Sequence, residues 1–162
     1  MAKPAKKTHA MRVLESRGIP YTATTYDDAG EFHSAGEAAA MLGVPLEAMY
    51  KTLVVMREAS RGRPLIVMLP ADAQLDLKRL AAAVGEKSLR MATQREAEQL
   101  TGMQVGGISV LGLKRPVGDV YIDERARGLE TIHISAGERG TDISMRTADL
   151  VALSGARYAS TG

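Results

Sequence analysis

The 162-residue sequence predicts a single α+β domain, with a mixed, mostly antiparallel β-sheet flanked by helices. Three observations predict it. Helix-like and strand-like segments follow one another irregularly, without the steady alternation of a doubly wound parallel sheet. Two strong apolar runs, Tyr50–Met56 and Leu65–Leu69, are separated by loop-type residues over Arg57–Pro64, which predicts a hairpin. No repeat, low-complexity tract or Pro/Gly/Ser-rich linker divides the chain. The domain is expected over residues 8–158, between a basic flexible tail at 1–7 and a short tail at 159–162.

Each element has its own signals. Thr8 to Arg17 reads as a first helix, with Ala10, Met11 and Leu14 on one face and Gly18 as a left-handed stop. Tyr21–Tyr26, rich in Thr and Tyr, reads as a strand. Ser34-Ala-Gly-Glu37 is a capping box opening a helix through Ala38–Leu42 that ends at Gly43, and Pro45–Ala48 makes a short turn. After the hairpin, Leu75–Val84 carries Leu77, Leu80 and Val84 at helical spacing and stops at Gly85. Thr93-Gln-Arg-Glu96 is a second capping box, for a helix ending near Gly102. Asp119–Asp123 and Thr131–Ser135 read as strands, and Thr147–Leu153 as a last helix before Gly155.

Composition narrows the function classes. The chain has no cysteine, which excludes a disulfide scaffold, a zinc-thiolate or iron–sulfur site and a cysteine nucleophile. The basic start MAKPAKKTHAMRV leads into no apolar signal core, and no apolar run is long enough for a membrane span, so a cytoplasmic protein with no membrane partner is expected. Twenty-one basic against 19 acidic residues give a formal charge of +2, too balanced for strong unaided nucleic-acid binding. Lys3, Lys6 and Lys7 read as a solvated, frayed terminus that leaves a weak polyanion contact open. There is no P-loop and no GxSxG elbow. His9, His33 and His133 fall in no metal-binding pair, so no metal and no cofactor are expected.

Three segments stand above this background. In Tyr50-Lys51-Thr52-Leu53-Val54-Val55, a lysine opens an apolar strand. It either projects into a partly dry cleft, where an ammonium holds a phosphate or polarises a carbonyl, or snorkels into solvent from a strand end. In Thr101–Gly112, glycines at 102, 106, 107 and 112 fit either an anion-binding nest of backbone amides or a hairpin turn at Gly106-Gly107. In Thr131–Ile143, strand alternation sets Thr131, His133 and Ser135 on one face, running into a glycine-rich turn with Asp142 just beyond. That face suits the floor of a site. It equally suits a half-exposed His133 and an Arg139–Asp142 pair across the turn.

In combination these residues carry a resemblance. Thr24-Thr25-Tyr26, Tyr50-Lys51-Thr52-Leu53, Gln74-Leu75-Asp76-Leu77-Lys78, Gly106-Gly107-Ile108-Ser109 and Ser135-x-Gly-x-Arg139-Gly140-x-Asp142-Ile143 are similar, in order and rough spacing, to the YbaK/EbsC-type aminoacyl-tRNA deacylase family. Its members are free-standing relatives of the prolyl-tRNA synthetase editing domain. The resemblance implies their fold and a trans-editing activity that removes cysteine from Cys-tRNA(Pro). The partners it implies are the acceptor end of tRNA(Pro) carrying a wrong amino acid, and prolyl-tRNA synthetase. It carries the catalytic positions onto Tyr26, Lys51, Ser135 and Asp142, and substrate contacts onto Gly106, Gly107, Ile108, Ser109, His133 and Gly137.

In such members the substrate's own thiol attacks its ester carbonyl, so the protein works mainly by positioning and electrostatics. One departure is Val110, where the family usually has proline; a less rigid cleft loop is the expectation. The alternatives are an Ala-tRNA(Pro) deacylase using water, and a non-catalytic tRNA- or nucleotide-binding module of the same fold.

Overall fold

The computed structural model describes residues 6–58 and 62–162. Lys3 of the basic terminus and positions 59–61 of the expected hairpin connection lie outside the described residues.

Local signals set most of the elements. Thr8 accepts the Met11 N–H to start α1 (His9–Ser16), which buries Ala10, Met11 and Leu14. β1 (Tyr21–Thr25) follows. Both capping boxes form, Ser34 with Glu37 at the start of α2 (Ala35–Leu42) and Thr93 with Glu96 at the start of α4 (Gln94–Thr101). β2 (Tyr50–Arg57) and β3 (Leu65–Pro70) pair antiparallel, as the two apolar runs predict. Asp76 accepts the Arg79 N–H at the start of α3 (Leu77–Val84). The remaining elements are β4 (Leu89–Met91), β5 (Asp119–Asp123), β6 (Thr131–Ser135), β7 (Thr141–Arg146), α5 (Thr147–Ser154) and β8 (Arg157–Ala159).

The strands form two sheets. One has three antiparallel strands in the order β1-β7-β6, and the other five strands in the order β4-β2-β3-β5-β8. Pairing in the larger sheet is antiparallel for β4-β2-β3 and parallel for β3-β5 and β5-β8. An isolated parallel bridge between Met49 and His133 links the start of β2 to β6. The largest apolar cluster draws on both sheets, with Val54, Ile66 and Met68 meeting Ile132, Ile134 and Ile143. The opposite face of β2 and β3, through Val55, Leu65 and Val67, packs on Leu80 and Ala81 of α3. Every residue of β3 is buried, which is why its sequence is an unbroken apolar run.

Three strands lie where the sequence predicts no element, and one reading needs correction. β7 carries no strand signal in the sequence, yet it is the central strand of the smaller sheet, flanked by β1 and β6. Pairing on both edges outweighs the poor strand propensity of Asp142 and Ser144. β4 and β8 have three residues each, too few to show a periodicity. Residues 159–162 are not a trailing tail: Thr161 is fully buried, its hydroxyl hydrogen-bonds Asp123, and its carbonyl accepts the Asp76 N–H at 2.7 Å.

Among the described residues, no helix is long and apolar enough to cross a membrane. No group of three or more His, Cys, Asp or Glu among them is placed to hold a metal ion.

Candidate active site

A cleft of about 320 Å³ opens between the two sheets, closed at its rim by the start of α4 and by the chain before α2. Its wall brings together Tyr26, Lys51, Ser135, Asp142, Gly106 and Ile108, residues from four separate stretches of the sequence.

Asp142 sits on the central strand β7, directly opposite Thr24 on one side and Ser135 on the other. Residues directly opposite in an antiparallel ladder share a face, so Ser135 and Asp142 project together. Asp142 is only 5% exposed, and burial pushes its carboxyl up to about 8. At neutral pH it is therefore largely protonated, able to donate a hydrogen bond as well as accept one. Tyr26 follows β1, and its N–H donates to the Gly140 carbonyl at 2.8 Å. Burial, and then the neighbouring Asp142 carboxylate, raise the Tyr26 hydroxyl above its ordinary value.

Lys51 is the second residue of β2, paired with Leu69 of β3. Its Nζ donates to the Ala73 carbonyl at 2.7 Å, and burial holds its pKa below the usual lysine range despite the opposing pull of Asp72. The lysine is thus anchored and half-buried at the cleft, not snorkelling at a strand end. The Gln74–Lys78 motif directly follows Ala73 and turns into α3 at Asp76, fixing the carbonyl that holds the ammonium.

The Ser135 hydroxyl already serves its own turn. It accepts the Gly137 N–H at 3.2 Å and donates to the Glu138 carbonyl at 3.4 Å. Arg139 does not pair with Asp142. Its Nε donates to the Val105 carbonyl at 2.8 Å, and its guanidinium lies 5.5 Å from the centre of the Phe32 ring. The Ser135–Gly140 turn and the loop before Ser109 are therefore tied together along one side of the cleft.

That loop is neither a hairpin turn nor a fully open nest. The Gly107 N–H donates to Gln104 within the loop, and a Cβ at Gly107 would meet Arg139 N and Glu138 C, both at 2.6 Å. Ser109 is fully buried, and its hydroxyl accepts the Leu111 N–H at 3.3 Å. Val110 is buried in the short 3-10 turn that Ser109 starts, so this loop is pinned without the proline. Gly106 and Ile108 reach the cleft. Gly107, Ser109, His133 and Gly137 are not among its lining residues. His133 shares the Ser135 face of β6, its Nδ1 4.0 Å from the Asp142 carboxylate, and burial lowers its pKa.

The cleft also uses residues that carried no motif. Phe32 is 53% exposed at the rim, against Gly106. His33 hydrogen-bonds Asp27 at 2.7 Å and meets the Tyr26 ring edge-on at 5.9 Å. Met91, Thr93 and Gln94 close the other side. The chain's single phenylalanine, two residues before a capping box, was the available signal.

The chain is similar to known proteins over most of its length. EbsC of Enterococcus faecalis, whose name provisionally gives it a Cys-tRNA(Pro)/Cys-tRNA(Cys) deacylase activity, is 32% identical over 157 residues, 97% of this chain and 94% of EbsC. The proline–tRNA ligase of Nitratidesulfovibrio vulgaris is 32% identical over 96 residues, 59% of this chain and 16% of that ligase. A crystal structure described provisionally as a trans-editing enzyme for prolyl tRNA synthetase superposes with a TM-score of 0.80 at 27% identity, covering 97% of this chain and 98% of the other. The model of the aminoacyl-tRNA editing domain matches residues 29–153, a span that includes Lys51, Ser135 and Asp142. The chain belongs to the aminoacyl-tRNA editing domain family.

Proposed function

We propose that the cleft removes cysteine from mischarged Cys-tRNA(Pro), acting in trans beside prolyl-tRNA synthetase. The observation that carries this reading is the convergence of an anchored lysine and a protonatable carboxyl on one small cleft, beside a serine hydroxyl already engaged in its own turn. Such a site holds and polarises an ester better than it attacks one. The names carried by EbsC and by the similar solved structure support the substrate and the partner.

In this reading the cysteinyl sulfur bonds to the ester carbonyl carbon and the bond to the ribose oxygen breaks. The thiol proton ends on the departing ribose hydroxyl, and a cyclic thiolactone leaves. Lys51 holds the carbonyl or terminal-phosphate region as a fixed positive charge. Asp142 and Ser135 orient the α-amine or thiol, and Tyr26 and Gly106 shape the wall around them.

The test is deacylation of Cys-tRNA(Pro) and Ala-tRNA(Pro) by the purified protein, with Lys51→Ala alongside. Loss of the cysteinyl ester alone, with thiolactone as first product and no turnover by the variant, is the expected result. Preference for the alanyl ester would assign the cleft to water-dependent hydrolysis. No turnover of either ester, with and without the synthetase, would leave a binding module.

A further inference from the structure

A second depression, about 540 Å³, lies beside the cleft. Lys6, Lys7, Arg12, Lys114 and Arg115 border it, and Glu138 is the one carboxylate residue among its lining. The chain as a whole carries 21 basic and 19 acidic residues, so this is a local segregation of charge that the net value of +2 conceals. Lys7 pairs with Glu15 at 3.0 Å. Among the described residues, Lys6, Arg12, Lys114 and Arg115 form no ion pair, although the first two flank the start of α1 and the last two follow its contact with the 3-10 turn at Val110–Gly112.

The two depressions share walls. Helix α4 gives Gln94 and Ala97 to the cleft, and Gln99 and Leu100 to the basic groove. The following loop gives Met103 to the groove, then Val105 and Gly106 to the cleft. Ser135 lines the cleft, and Ala136, Gly137 and Glu138 of the same turn line the groove. A polymer whose end enters the cleft can continue over these walls into the groove bordered by Lys6, Arg12, Lys114 and Arg115.

We infer that this groove binds the phosphate backbone of the RNA stem whose 3′ end occupies the cleft. The inference rests on the tRNA reading above and adds where the stem lies. Gly137, carried over from the family as a substrate contact, then belongs to the stem-binding surface and not to the ester site. Arg12, Lys114 and Arg115 make phosphate contacts that position the stem without reading sequence.

The experiment compares the full chain with the triple variant Arg12→Ala/Lys114→Ala/Arg115→Ala. A control, Arg79→Ala/Lys87→Ala, removes exposed charge from α3 and from the segment after it. Binding of a tRNA acceptor-stem hairpin is titrated across salt concentration, and deacylation is measured on mischarged tRNA and on a short aminoacylated CCA trinucleotide. The triple variant is expected to bind the hairpin about tenfold or more weakly, with a salt slope shallower by about 2–3. Its KM for mischarged tRNA should rise while its turnover of the trinucleotide stays unchanged. Unchanged hairpin affinity, or an equal loss in the control, overturns the groove. If no ester is cleaved by any form but the groove variant alone loses hairpin binding, the deacylase reading fails and the groove stands.

Discussion

Ser135 and Asp142 are directly opposed in the ladder of β6 and β7, so two residues on either side of a glycine-rich turn share one face of the sheet. The turn between them is held by Ser135 itself, through the Gly137 N–H and the Glu138 carbonyl. Its far side is anchored by Arg139 reaching the Val105 carbonyl. Position of the carboxyl and closure of the cleft wall are therefore coupled through one short segment.

Ser135→Ala separates the structural from the chemical use of that hydroxyl. Losing the contact from the Gly137 N–H should cost about 1 kcal/mol, seen as a fall of about 2–4 °C in Tm. If Ser135 also orients the substrate, kcat falls about tenfold or more at a temperature where the variant is fully folded. A variant with the Tm loss alone would confine Ser135 to the turn.

Asp142 makes stability depend on pH with a defined sign. Its carboxyl rises from an ordinary 3.8 to about 8 through burial, so the folded state holds a proton that the unfolded chain has lost. This contribution is fully present below about pH 4 and is lost as pH rises through about 8. Asp142→Asn removes the ionisation. It should match the parent in melting at pH 4 and exceed it at pH 9 by at least about 1 kcal/mol, or about 2–4 °C. Equal melting at both pH values would show that the carboxyl ionises without penalty.

Lys51→Met keeps most of the aliphatic stem and removes the charge that the Ala73 carbonyl holds. Deacylation is expected to fall at least about a hundredfold, the scale of losing one preorganised electrostatic contact to a reacting group. Lys51→Arg should not restore it, because a planar fork cannot replace a point charge held on a single carbonyl. Circular dichroism and Tm check that both variants fold.

Gly107→Ala tests how closely the two loops meet. The added methyl would lie 2.6 Å from Arg139 N and from Glu138 C, both backbone atoms with little room to yield. A loss of about 1–3 kcal/mol is expected, measured by urea unfolding. Because the displaced backbone adjoins Ser135 and Gly140, KM for the ester should rise as well. An unperturbed variant would show that the loops move apart freely.

Much of the architecture was legible before any coordinates. Ser34 with Glu37 and Thr93 with Glu96 marked two helix starts, since a capping box is completed within four residues. The Tyr50–Met56 and Leu65–Leu69 runs marked the hairpin, and in β3 burial on both faces leaves the apolar stretch unbroken. β7 was not legible: Asp142 and Ser144 are poor strand residues, and partners distant in sequence, Thr22 and Thr24 in β1, hold them there. The chain end was missed for the same reason, as Thr161 is fixed by Asp123 and Asp76.

The sequence by itself determined the α+β class, the helix boundaries, the absence of a cysteine nucleophile and the identity of Lys51, Ser135 and Asp142 as candidate site residues. The first three follow from short-range patterning and from side-chain chemistry, which one segment of chain is enough to express; the site residues came from the family resemblance that several segments carry together. Tertiary structure decided that Lys51 is anchored on Ala73, that Asp142 is buried enough to stay protonated, and that Gly107 and Ser109 spend their polar groups inside their own loop. It also gathered basic residues of the first helix and its approach, and of the segment after the 3-10 turn at Val110–Gly112, into one groove. Burial, desolvation and the meeting of distant charges are properties of the assembled sheets and loops, and no local stretch of sequence contains them.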